Sequence, residues 1–362
     1  MRAAITSVLV LLSAGCTSRA ELSWPVDQPG QHRVGYRAAE VRYQPLGGPE
    51  RVLRLALWFP TEAMVGGKTE YLGVERPGVL NGVRPAGEAL PVMLFSHGHL
   101  AFAEASGFLP EYFASHGFLA VSPDHTGDTT VNIVDPLATE MYAWRPLDLS
   151  AVLDYLYALP SEDALAGKLS PEVIAVGHSL GGYTVLAAGG AHFPVDPARC
   201  MDGTGPGSWC RTMTPALASR FSQAFLDDRI QAVVPMAPGS IDVLGPEGVS
   251  AVKVPTLLVT GGLDSVDGAR WFGAMNPGSR WLSVPKASHN SFTDVCELLP
   301  GVGGADLCNP DALPAAEVHR LTSAYVLAFA RHVLYEDQGS AVMGLLDGTR
   351  VLSGEAALTS KP

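Results

Sequence analysis

Short runs of apolar residues recur along the chain and are separated by stretches in which apolar residues have a helical spacing. Leu149, Val152, Leu153 and Leu156 follow the spacing i, i+3, i+4, i+7, and a similar pattern begins at Val318. Most of the apolar runs are continuous rather than alternating, as expected for parallel strands that are buried on both faces. The predicted strands cover residues 51–59, 92–96, 118–122, 173–176, 232–236, 256–260 and 281–284. Strands alternating with helices predict an α/β fold, with a mostly parallel, doubly wound sheet and helices on both faces.

The pattern is interrupted near both ends of the chain and once in its middle. Residues 16–31 contain Ser, Pro, Gly and Gln without periodicity, which predicts a tether. Residues 32–337 are expected to form one domain, with an insertion at residues 192–228 that follows the helix after strand 173–176. Residues 338–362 lack a strong pattern and are predicted to be a loosely docked tail.

The N-terminus has the layout of an export signal, which predicts a signal peptide over residues 1–15. Arg2 supplies a positive charge, and an apolar run and three small residues follow it. The run is far shorter than the roughly 18 residues of a transmembrane helix. Small residues directly before Cys16 resemble the lipobox of bacterial lipoproteins, in which the cysteine is lipidated, although Ser13 stands where Leu is usual. We therefore expect an exported protein, either an outer-membrane lipoprotein or a periplasmic or secreted one.

Four cysteines remain after Cys16, and an even number in an exported chain predicts disulfides. Four cysteines allow three connectivities. Cys200 lies close to Cys210, and Cys296 close to Cys308, and each pair encloses a loop sequence rich in Gly, Pro and Asp, which favours local pairing. No C-x₂-C spacing of a zinc site occurs. Four free buried thiols are the remaining alternative.

Composition and charge narrow the range of partners. The chain has 362 residues, of which 47% are hydrophobic, and 24 basic against 36 acidic residues give a net charge of −12. This balance disfavours nucleic acid and anionic membrane surfaces, which are recognised by clustered Lys and Arg. The expected partner is a small molecule, with membrane contact only through an N-terminal lipid anchor. The oligomeric state stays open.

Residues 177–182 read Gly-His-Ser-Leu-Gly-Gly and lie between a predicted strand and a predicted helix. In that context the pattern G-x-S-x-G is typical of a nucleophile elbow, a turn so sharp that large flanking side chains would clash. The turn lifts the Ser179 hydroxyl above the sheet, at a helix N-terminus that favours developing negative charge. Ser179 is therefore the candidate nucleophile. The alternative is an idle serine in a glycine-rich turn.

A serine hydroxyl needs a general base to become an effective nucleophile. His289 lies in a loop just after strand 281–284, where a sheet of this kind supplies its base. His319 and His332 fall on the last predicted helix and are expected to be surface or packing residues. His289 is therefore the candidate base, and a surface loop histidine is the alternative.

The candidate base in turn needs a carboxylate that fixes its tautomer. Asp264 follows strand 256–260 in a glycine-bearing turn and is the preferred candidate. Asp242 and Asp267 are the alternatives, and each of the three can instead be a turn-forming aspartate. The order serine, aspartate, histidine along the chain is the one expected for a nucleophile on this type of sheet.

Two backbone N–H groups are expected to form an oxyanion hole. One belongs to Leu180, the residue after the candidate nucleophile. The other is expected from residues 95–99, Phe-Ser-His-Gly-His, which follow an early strand. Gly98 lets the backbone approach a substrate closely, which favours the N–H of His99.

The His-Gly-His sequence also permits a metal-dependent hydrolase as an alternative. His97 and His99 at a strand end resemble the start of a zinc site, for which His125, Asp124 and Asp128 are available as further ligands. A zinc site would leave the serine constellation without a role. The sequence therefore favours catalysis without a metal or another cofactor.

With these residues, the chain resembles an α/β-hydrolase, and more narrowly the bacterial dienelactone-hydrolase-like esterases and platelet-activating-factor acetylhydrolases. The resemblance runs from about residue 51 to 335 and is carried by residues 95–98, 114–118, 177–182 and 288–292. Dienelactone hydrolases proper have a cysteine nucleophile, whereas Ser179 implies ordinary ester hydrolysis. The acetylhydrolases place their aspartate near residues 233–237, where this chain has none, which weakens the transfer of a phospholipid substrate.

The resemblance implies a serine carboxylic ester hydrolase that forms an acyl-enzyme intermediate on short-acyl esters or lactones. Leu100, Phe102 and Tyr183 are candidate walls of the substrate pocket, although core packing accounts equally well for Tyr183. The insertion is polar in its first half and lacks the broad amphipathic helix of a lipase lid. A catalytically silent hydrolase-fold lipoprotein that acts as a binding module is the alternative function.

Overall fold

A computed structural model describes residues 24–45, 48–133, 139–194, 196–203, 205, 208–300 and 308–362. The predicted signal peptide and the predicted lipidation site Cys16 lie outside the described residues. None of the helices in the described ranges combines the length and the apolar character that a membrane crossing needs.

A large, mostly parallel sheet forms the centre of the fold. The strands in the described residues are β1 (Arg33–Tyr43), β2 (Arg51–Thr61), β3 (Glu70–Tyr71), β4 (Val74–Glu75), β5 (Val79–Asn81), β6 (Leu90–Ser96), β7 (Leu119–Pro123), β8 (Leu169–His178), β9 (Ala232–Met236), β10 (Leu257–Gly261), β11 (Arg280–Val284) and β12 (Ala357–Ser360). The large sheet has the order β12-β11-β10-β9-β8-β6-β7-β2-β1-β5, and β3 pairs with β4 in a separate ribbon. The six strands from β11 to β7 are parallel, whereas β12, β2 and β1 pair antiparallel with their inner neighbours. The predicted mostly parallel sheet of an α/β fold is confirmed.

Helices cover both faces of this sheet. The α-helices in the described residues are α1 (Phe108–Ser115), α2 (Thr139–Tyr157), α3 (Leu180–Ala188), α4 (Pro197–Met201), α5 (Pro215–Ser222), α6 (Gly245–Ser250), α7 (Gly268–Ala274), α8 (Val295–Leu298), α9 (Ala315–Tyr335) and α10 (Ser340–Leu346). The pattern around Leu149 falls in α2 and the pattern from Val318 in α9, so both predicted helices are confirmed. A 3₁₀ helix, His289–Phe292, follows β11.

The sheet separates two apolar cores, which explains the continuous apolar runs of its strands. In β6, Met93 and Phe95 belong to the core shared with α1 and α9. Val92 and Leu94 belong to the core shared with α2 and α3. Because successive side chains of a strand point to opposite faces, a strand covered on both faces needs apolar residues at every position.

Both ends of the described chain pack on the domain, which corrects the predicted loose tail and, for residues 24–31, the predicted tether. Val26 is fully buried, and the Tyr112 hydroxyl donates a 2.7 Å hydrogen bond to its carbonyl oxygen. At the other end α10 packs on α9, and β12 joins the sheet beside β11. The sequence pattern missed these elements because α10 has seven residues and β12 only four, which is too short for a clear periodicity.

The insertion at residues 192–228 contains α4 and α5 and packs as part of the domain. Four of its aromatic side chains form a cluster with ring centroids 4.5 to 6.0 Å apart. They are Phe193, Trp209, Phe221 and Phe225. The cluster belongs to the core shared with α2 and α3, so this segment is held by buried apolar contacts rather than lying loosely over the sheet.

The predicted cysteine pairing is confirmed. Cys200 is bonded to Cys210 and Cys296 to Cys308, with Cα–Cα distances of 4.8 and 5.9 Å. The first disulfide lies in the insertion, and the second begins in α8, directly after the His289–Phe292 helix. Disulfides form and persist in oxidising compartments, which agrees with export of the protein.

Candidate active site

Ser179 occupies a sharp turn between the end of β8 and the start of α3. Its φ and ψ are 55° and −122°, a backbone conformation that residues other than glycine rarely adopt. The glycines on either side have no room for a side chain: a Cβ on Gly177 would lie 2.1 Å from the carbonyl oxygen of Gly181, and one on Gly181 would lie 1.9 Å from that of Ser96. The local sequence therefore folds into the turn that the elbow motif predicts.

His289 and Asp264 meet at the ends of neighbouring parallel strands. Asp264 follows β10, His289 follows β11, and His289 Nδ1 donates a 2.9 Å hydrogen bond to Asp264 Oδ2. Asp264 Oδ1 accepts a second bond, from the Ser265 N–H at 2.6 Å. Burial alone would raise the pKa of Asp264, but the contact with His289 and this N–H lower it below its ordinary value. The carboxylate is therefore ionised at neutral pH and fixes the tautomer of the imidazole.

A second histidine ties this pair to the elbow. His178 Nε2 donates a 2.9 Å hydrogen bond to the carbonyl oxygen of His289, and the two ring centroids lie 4.8 Å apart. Burial lowers the pKa of His178 to about 3, with a smaller effect from His289. His178 is thus a neutral hydrogen-bond donor, and it directly precedes Ser179. The elbow motif carries no signal for this role, because His178 occupies one of its variable positions.

The two alternative carboxylates lie elsewhere. Asp242 is mostly exposed and forms a 3.0 Å ion pair with Arg270. Asp267 accepts a 3.0 Å hydrogen bond from the Arg270 N–H and caps the N-terminus of α7. Of the three predicted candidates, the structure brings Asp264 to His289.

The two histidines that were expected to be surface or packing residues form contacts of that kind. His319 Nε2 donates to the Thr293 carbonyl oxygen at 3.1 Å, and its ring stacks on Phe108 with centroids 3.7 Å apart. His332 Nδ1 accepts a hydrogen bond from the Gln338 amide at 3.3 Å. Both residues lie on α9, where the sequence pattern placed them.

Two glycines make room beside the Ser179 hydroxyl. A Cβ on Gly98 would lie 3.2 Å from Ser179 Cβ, so the loop after β6 passes directly beside the elbow. A Cβ on Gly239 would lie 3.0 Å from Ser179 Oγ and 3.2 Å from the backbone nitrogen of Leu180. Leu180 is the first residue of α3, and the first N–H groups of a helix have no acceptor within it. The arrangement suits a negatively charged oxygen near Ser179.

The histidines that were considered as zinc ligands form hydrogen bonds within the protein. His97 Nδ1 donates to the Gly98 carbonyl oxygen at 2.7 Å, and His97 Nε2 accepts from the His125 N–H at 3.0 Å. His99 Nδ1 donates to Asp128 at 2.9 Å. In the described ranges no group of three or more His, Cys, Asp or Glu side chains is arranged to hold a metal ion.

A second set of serine, histidine and aspartate lies behind the first. His125 Nδ1 donates to Asp148 at 2.8 Å, and its Nε2 accepts from the Ser96 hydroxyl at 2.9 Å. All three side chains are fully buried, and Arg51 pairs with Asp148 at 2.7 Å. Since no substrate reaches a fully buried hydroxyl, this set is a structural network rather than a competing active site.

The three predicted pocket residues have different environments. Tyr183 is fully buried, and its hydroxyl donates to the Tyr142 carbonyl oxygen at 2.7 Å. Phe102 belongs to the core on the α1 side of the sheet. Only Leu100 is partly exposed, in the loop beside the elbow. Tyr183 and Phe102 are thus placed as core residues, and Leu100 alone stays a pocket candidate.

Comparisons with known proteins found a matching family model and a matching fold. The family model for chlorophyllase matches residues 69–351, which is most of the chain. Among solved structures, a ferulic acid esterase from Streptomyces cinnamoneus has a TM-score of 0.60 and 19% identity, over 92% of this chain and 99% of that chain. At this identity the likeness shows a common fold. The search of curated proteins found no match.

Proposed function

Because the chain belongs to the chlorophyllase family and is a carboxylic ester hydrolase, we propose that Ser179 is its nucleophile, His289 its general base and Asp264 the carboxylate that orients the base. The observation that carries this proposal is the 2.9 Å hydrogen bond from His289 Nδ1 to Asp264. With Nδ1 donating, Nε2 is the ring nitrogen that accepts the Ser179 proton.

The proposed reaction has two steps. Ser179 Oγ attacks the ester carbonyl carbon while its proton moves to His289 Nε2, and the negative oxygen of the tetrahedral intermediate is stabilised by the N–H groups of Leu180 and His99. His289 then protonates the leaving alcohol, which leaves an acyl-enzyme on Ser179. A water molecule, deprotonated by His289, attacks this acyl group; the bond from the acyl carbon to Ser179 Oγ then breaks, His289 returns the proton to Oγ, and the acid is released. Ionised Asp264 stabilises the imidazolium form in both steps.

We propose esters with short acyl chains, or lactones, as substrates. Gly239 and Gly98 leave space close to the Ser179 hydroxyl, and the partly exposed Leu100 lies in the same loop as Gly98. The insertion at residues 192–228 also supports short-acyl esters or lactones as substrates, because its aromatic cluster is part of the core and its first half is closed by a disulfide. A packed insertion of this kind is unlike the hinged lid of a lipase that acts on aggregated fat.

A series of 4-nitrophenyl esters from acetate to palmitate tests the substrate proposal on purified protein. The highest kcat/KM is expected between two and about six acyl carbons, since each methylene that finds no pocket forgoes about 0.8 kcal/mol of burial. Methyl ferulate and chlorophyll belong in the panel because of the structural neighbour and the family. A maximum at twelve carbons or beyond, or activation by emulsified triglyceride, would contradict the proposal.

A silent hydrolase fold that only binds a ligand is the second candidate function. It predicts no turnover of any ester in the panel above the level of Ser179→Ala. The proposed esterase predicts turnover that Ser179→Ala abolishes. One variant and one assay therefore separate the two functions.

We also propose that Cys16 carries a lipid that tethers the enzyme to a membrane. The support is the run of small residues before Cys16 and the exported character of the disulfide-bonded domain. Intact mass spectrometry of protein extracted from bacterial membranes is expected to show a diacylglycerol adduct, which Cys16→Ser removes. A mature protein that begins elsewhere and carries no adduct would indicate plain secretion.

A further inference from the structure

We infer that Asp128 is a positioning residue that holds residues 97–100 in the conformation of an oxyanion hole, an inference that rests on the proposed function. Asp128 Oδ1 accepts two hydrogen bonds from this loop. One comes from the backbone N–H of Leu100 and the other from His99 Nδ1, and both are 2.9 Å long. One buried carboxylate oxygen therefore holds both His99, whose backbone N–H is proposed to bind the substrate oxygen, and Leu100, which follows it.

The loop needs such an anchor because of its backbone conformation. Leu100 has a φ of 55°, in the left-handed region that side-chain-bearing residues rarely adopt. Strained backbone of this kind persists where the surrounding structure over-determines it. The bond from the Leu100 N–H to Asp128 acts at the strained residue itself. Since Gly98 lies against Ser179, a shift of this loop would move the His99 N–H relative to the reacting oxygen.

Arg145 connects this anchor to the helix that follows the nucleophile. It is fully buried in α2, and its Nη1 donates to Asp128 Oδ2 at 2.6 Å. Its other nitrogens donate to the His97 carbonyl oxygen and, at 3.1 Å, to the Thr184 hydroxyl in α3. Burial alone would raise the pKa of Asp128, but Arg145, His99 and the Leu100 N–H lower it to about 2. Asp128 is thus an ionised acceptor throughout the pH range of an esterase.

The alternative is that Asp128 only neutralises the buried charge of Arg145. The two roles differ in Asp128→Asn. An asparagine has one side-chain oxygen, and Arg145 requires that oxygen because it has only donors. The amide NH₂ then faces the Leu100 N–H, and the anchor of the loop is lost. Positioning therefore predicts a defect in transition-state stabilisation, whereas neutralisation alone predicts a defect in stability.

Asp124→Asn is the matched control for Asp128→Asn. Asp124 lies in the same segment after β7, accepts a hydrogen bond from the Ala103 N–H at 2.7 Å and pairs with Arg54 at 3.2 Å. Like Asp128, Asp124 is therefore a carboxylate that accepts a hydrogen bond from a loop N–H and pairs with an arginine. The N–H that it binds belongs to Ala103, which lies outside the proposed oxyanion-hole loop at residues 97–100.

The test measures kcat and KM for 4-nitrophenyl butyrate and the inhibition constant of an alkyl trifluoromethyl ketone, which forms a tetrahedral adduct with an active-site serine. Asp128→Asn is expected to lower kcat by about tenfold to a hundredfold, to leave KM within about threefold and to weaken the inhibitor by the same factor as kcat. Asp124→Asn is expected to stay within about threefold in all three quantities. Equal effects of the two variants, or an unchanged inhibition constant in Asp128→Asn, would overturn the inference.

Asp128→Asn leaves the buried charge of Arg145 without its carboxylate partner, which can prevent folding. Two further variants keep the test decisive in that case. The double variant Asp128→Leu/Arg145→Met removes both charges, and it is expected to fold but to keep a low kcat. His99→Ala removes one of the two donors at a partly exposed side chain, and it is expected to lower kcat by about tenfold with little change in KM. Wild-type kcat in either variant would overturn the inference.

Ser179→Ala is assayed beside these variants. An active Ser179→Ala would refute the proposed function itself. An inactive Ser179→Ala together with fully active Asp128 and His99 variants would refute only the role of Asp128.

Discussion

His178 Nε2 donates a 2.9 Å hydrogen bond to the backbone carbonyl oxygen of His289, across 111 residues of sequence. Because His178 directly precedes Ser179, this bond holds the backbone of the proposed base against the turn that carries the proposed nucleophile. The low pKa of His178, about 3 because of burial, keeps its ring neutral at every pH at which an esterase works. The protonation state of this donor is therefore constant over that pH range.

Loss of this bond is expected to lower kcat without a large change in KM. His178→Ala is expected to reduce kcat about tenfold for a short-acyl ester, since a small misplacement of a base is costly. His178→Gln keeps an N–H donor and is expected to recover most of the loss. Steady-state kinetics of the two variants measure this, and equal activity of His178→Ala and the wild type would contradict the assigned role.

Asp264→Asn is expected to reduce kcat by on the order of a thousandfold to ten-thousandfold, because an amide no longer enforces the reactive tautomer of His289. Asp242→Asn and Asp267→Asn are the controls and are expected to keep wild-type activity, since Asp242 pairs with Arg270 and Asp267 caps α7. The three variants are compared with the same ester. An inactive Asp242→Asn would show that the acid is assigned to the wrong residue.

Gly239→Ala is expected to obstruct the space next to the nucleophile. The new Cβ would lie 3.0 Å from Ser179 Oγ, within the volume that an ester carbonyl has to enter. We expect kcat/KM to fall about tenfold or more, with a larger loss for bulky acyl groups.

Gly273→Ala is the matched control for Gly239→Ala. A Cβ at Gly273 would meet nothing within 4 Å, and this glycine lies inside α7. Gly273→Ala is therefore expected to keep activity and to gain slightly in stability, as alanine does within a helix. Equal kcat/KM in both alanine variants would place the substrate elsewhere.

Much of this site could be predicted from the sequence because its parts have local signatures. Apolar runs mark the strands, and Ser179, Asp264 and His289 lie in the turns that follow three of them. The glycines of the elbow are required by backbone atoms that approach within about 2 Å of a virtual Cβ, so the motif has a steric cause. Close spacing of the cysteines similarly indicated their pairing.

The polar network behind the site could not be predicted in the same way. Arg145 is a charged residue on the buried face of α2, and its partner Asp128 lies in a preceding loop. Asp148 and Arg51 are also paired across a long stretch of sequence. Such contacts depend on the tertiary fold and leave no periodic signal. Proximity in sequence was also not a sufficient guide. Phe102 and Tyr183 flank the loop and the elbow in sequence, which made them pocket candidates, but the structure places both in the core.

Stability is expected to fall on acidification from about pH 7 to pH 4. Burial lowers the pKa of His125 to about 4 and that of His178 to about 3, whereas an unfolded histidine has a pKa of about 6.5. Between these values the unfolded chain binds protons that the folded chain does not, so the free energy of unfolding decreases as the pH falls. Asp128 and Asp148, with pKa values of about 2, add a further loss below about pH 4.

Urea denaturation at several pH values measures this dependence. His178→Gln removes one of the two histidines and is expected to flatten the curve between about pH 6 and pH 4. A free energy of unfolding that stays constant or rises on acidification through this window would contradict the assigned burial of these side chains.

Reaction with a fluorophosphonate, followed by peptide mass mapping, tests the proposed triad most directly. Only a serine whose proton is removed by a base reacts readily with this reagent. The proposed triad predicts one adduct, on Ser179, which is absent in Ser179→Ala and forms at least about a hundredfold more slowly in His289→Ala. An adduct on a different serine, or labelling of Ser179 at the wild-type rate in His289→Ala, would contradict it.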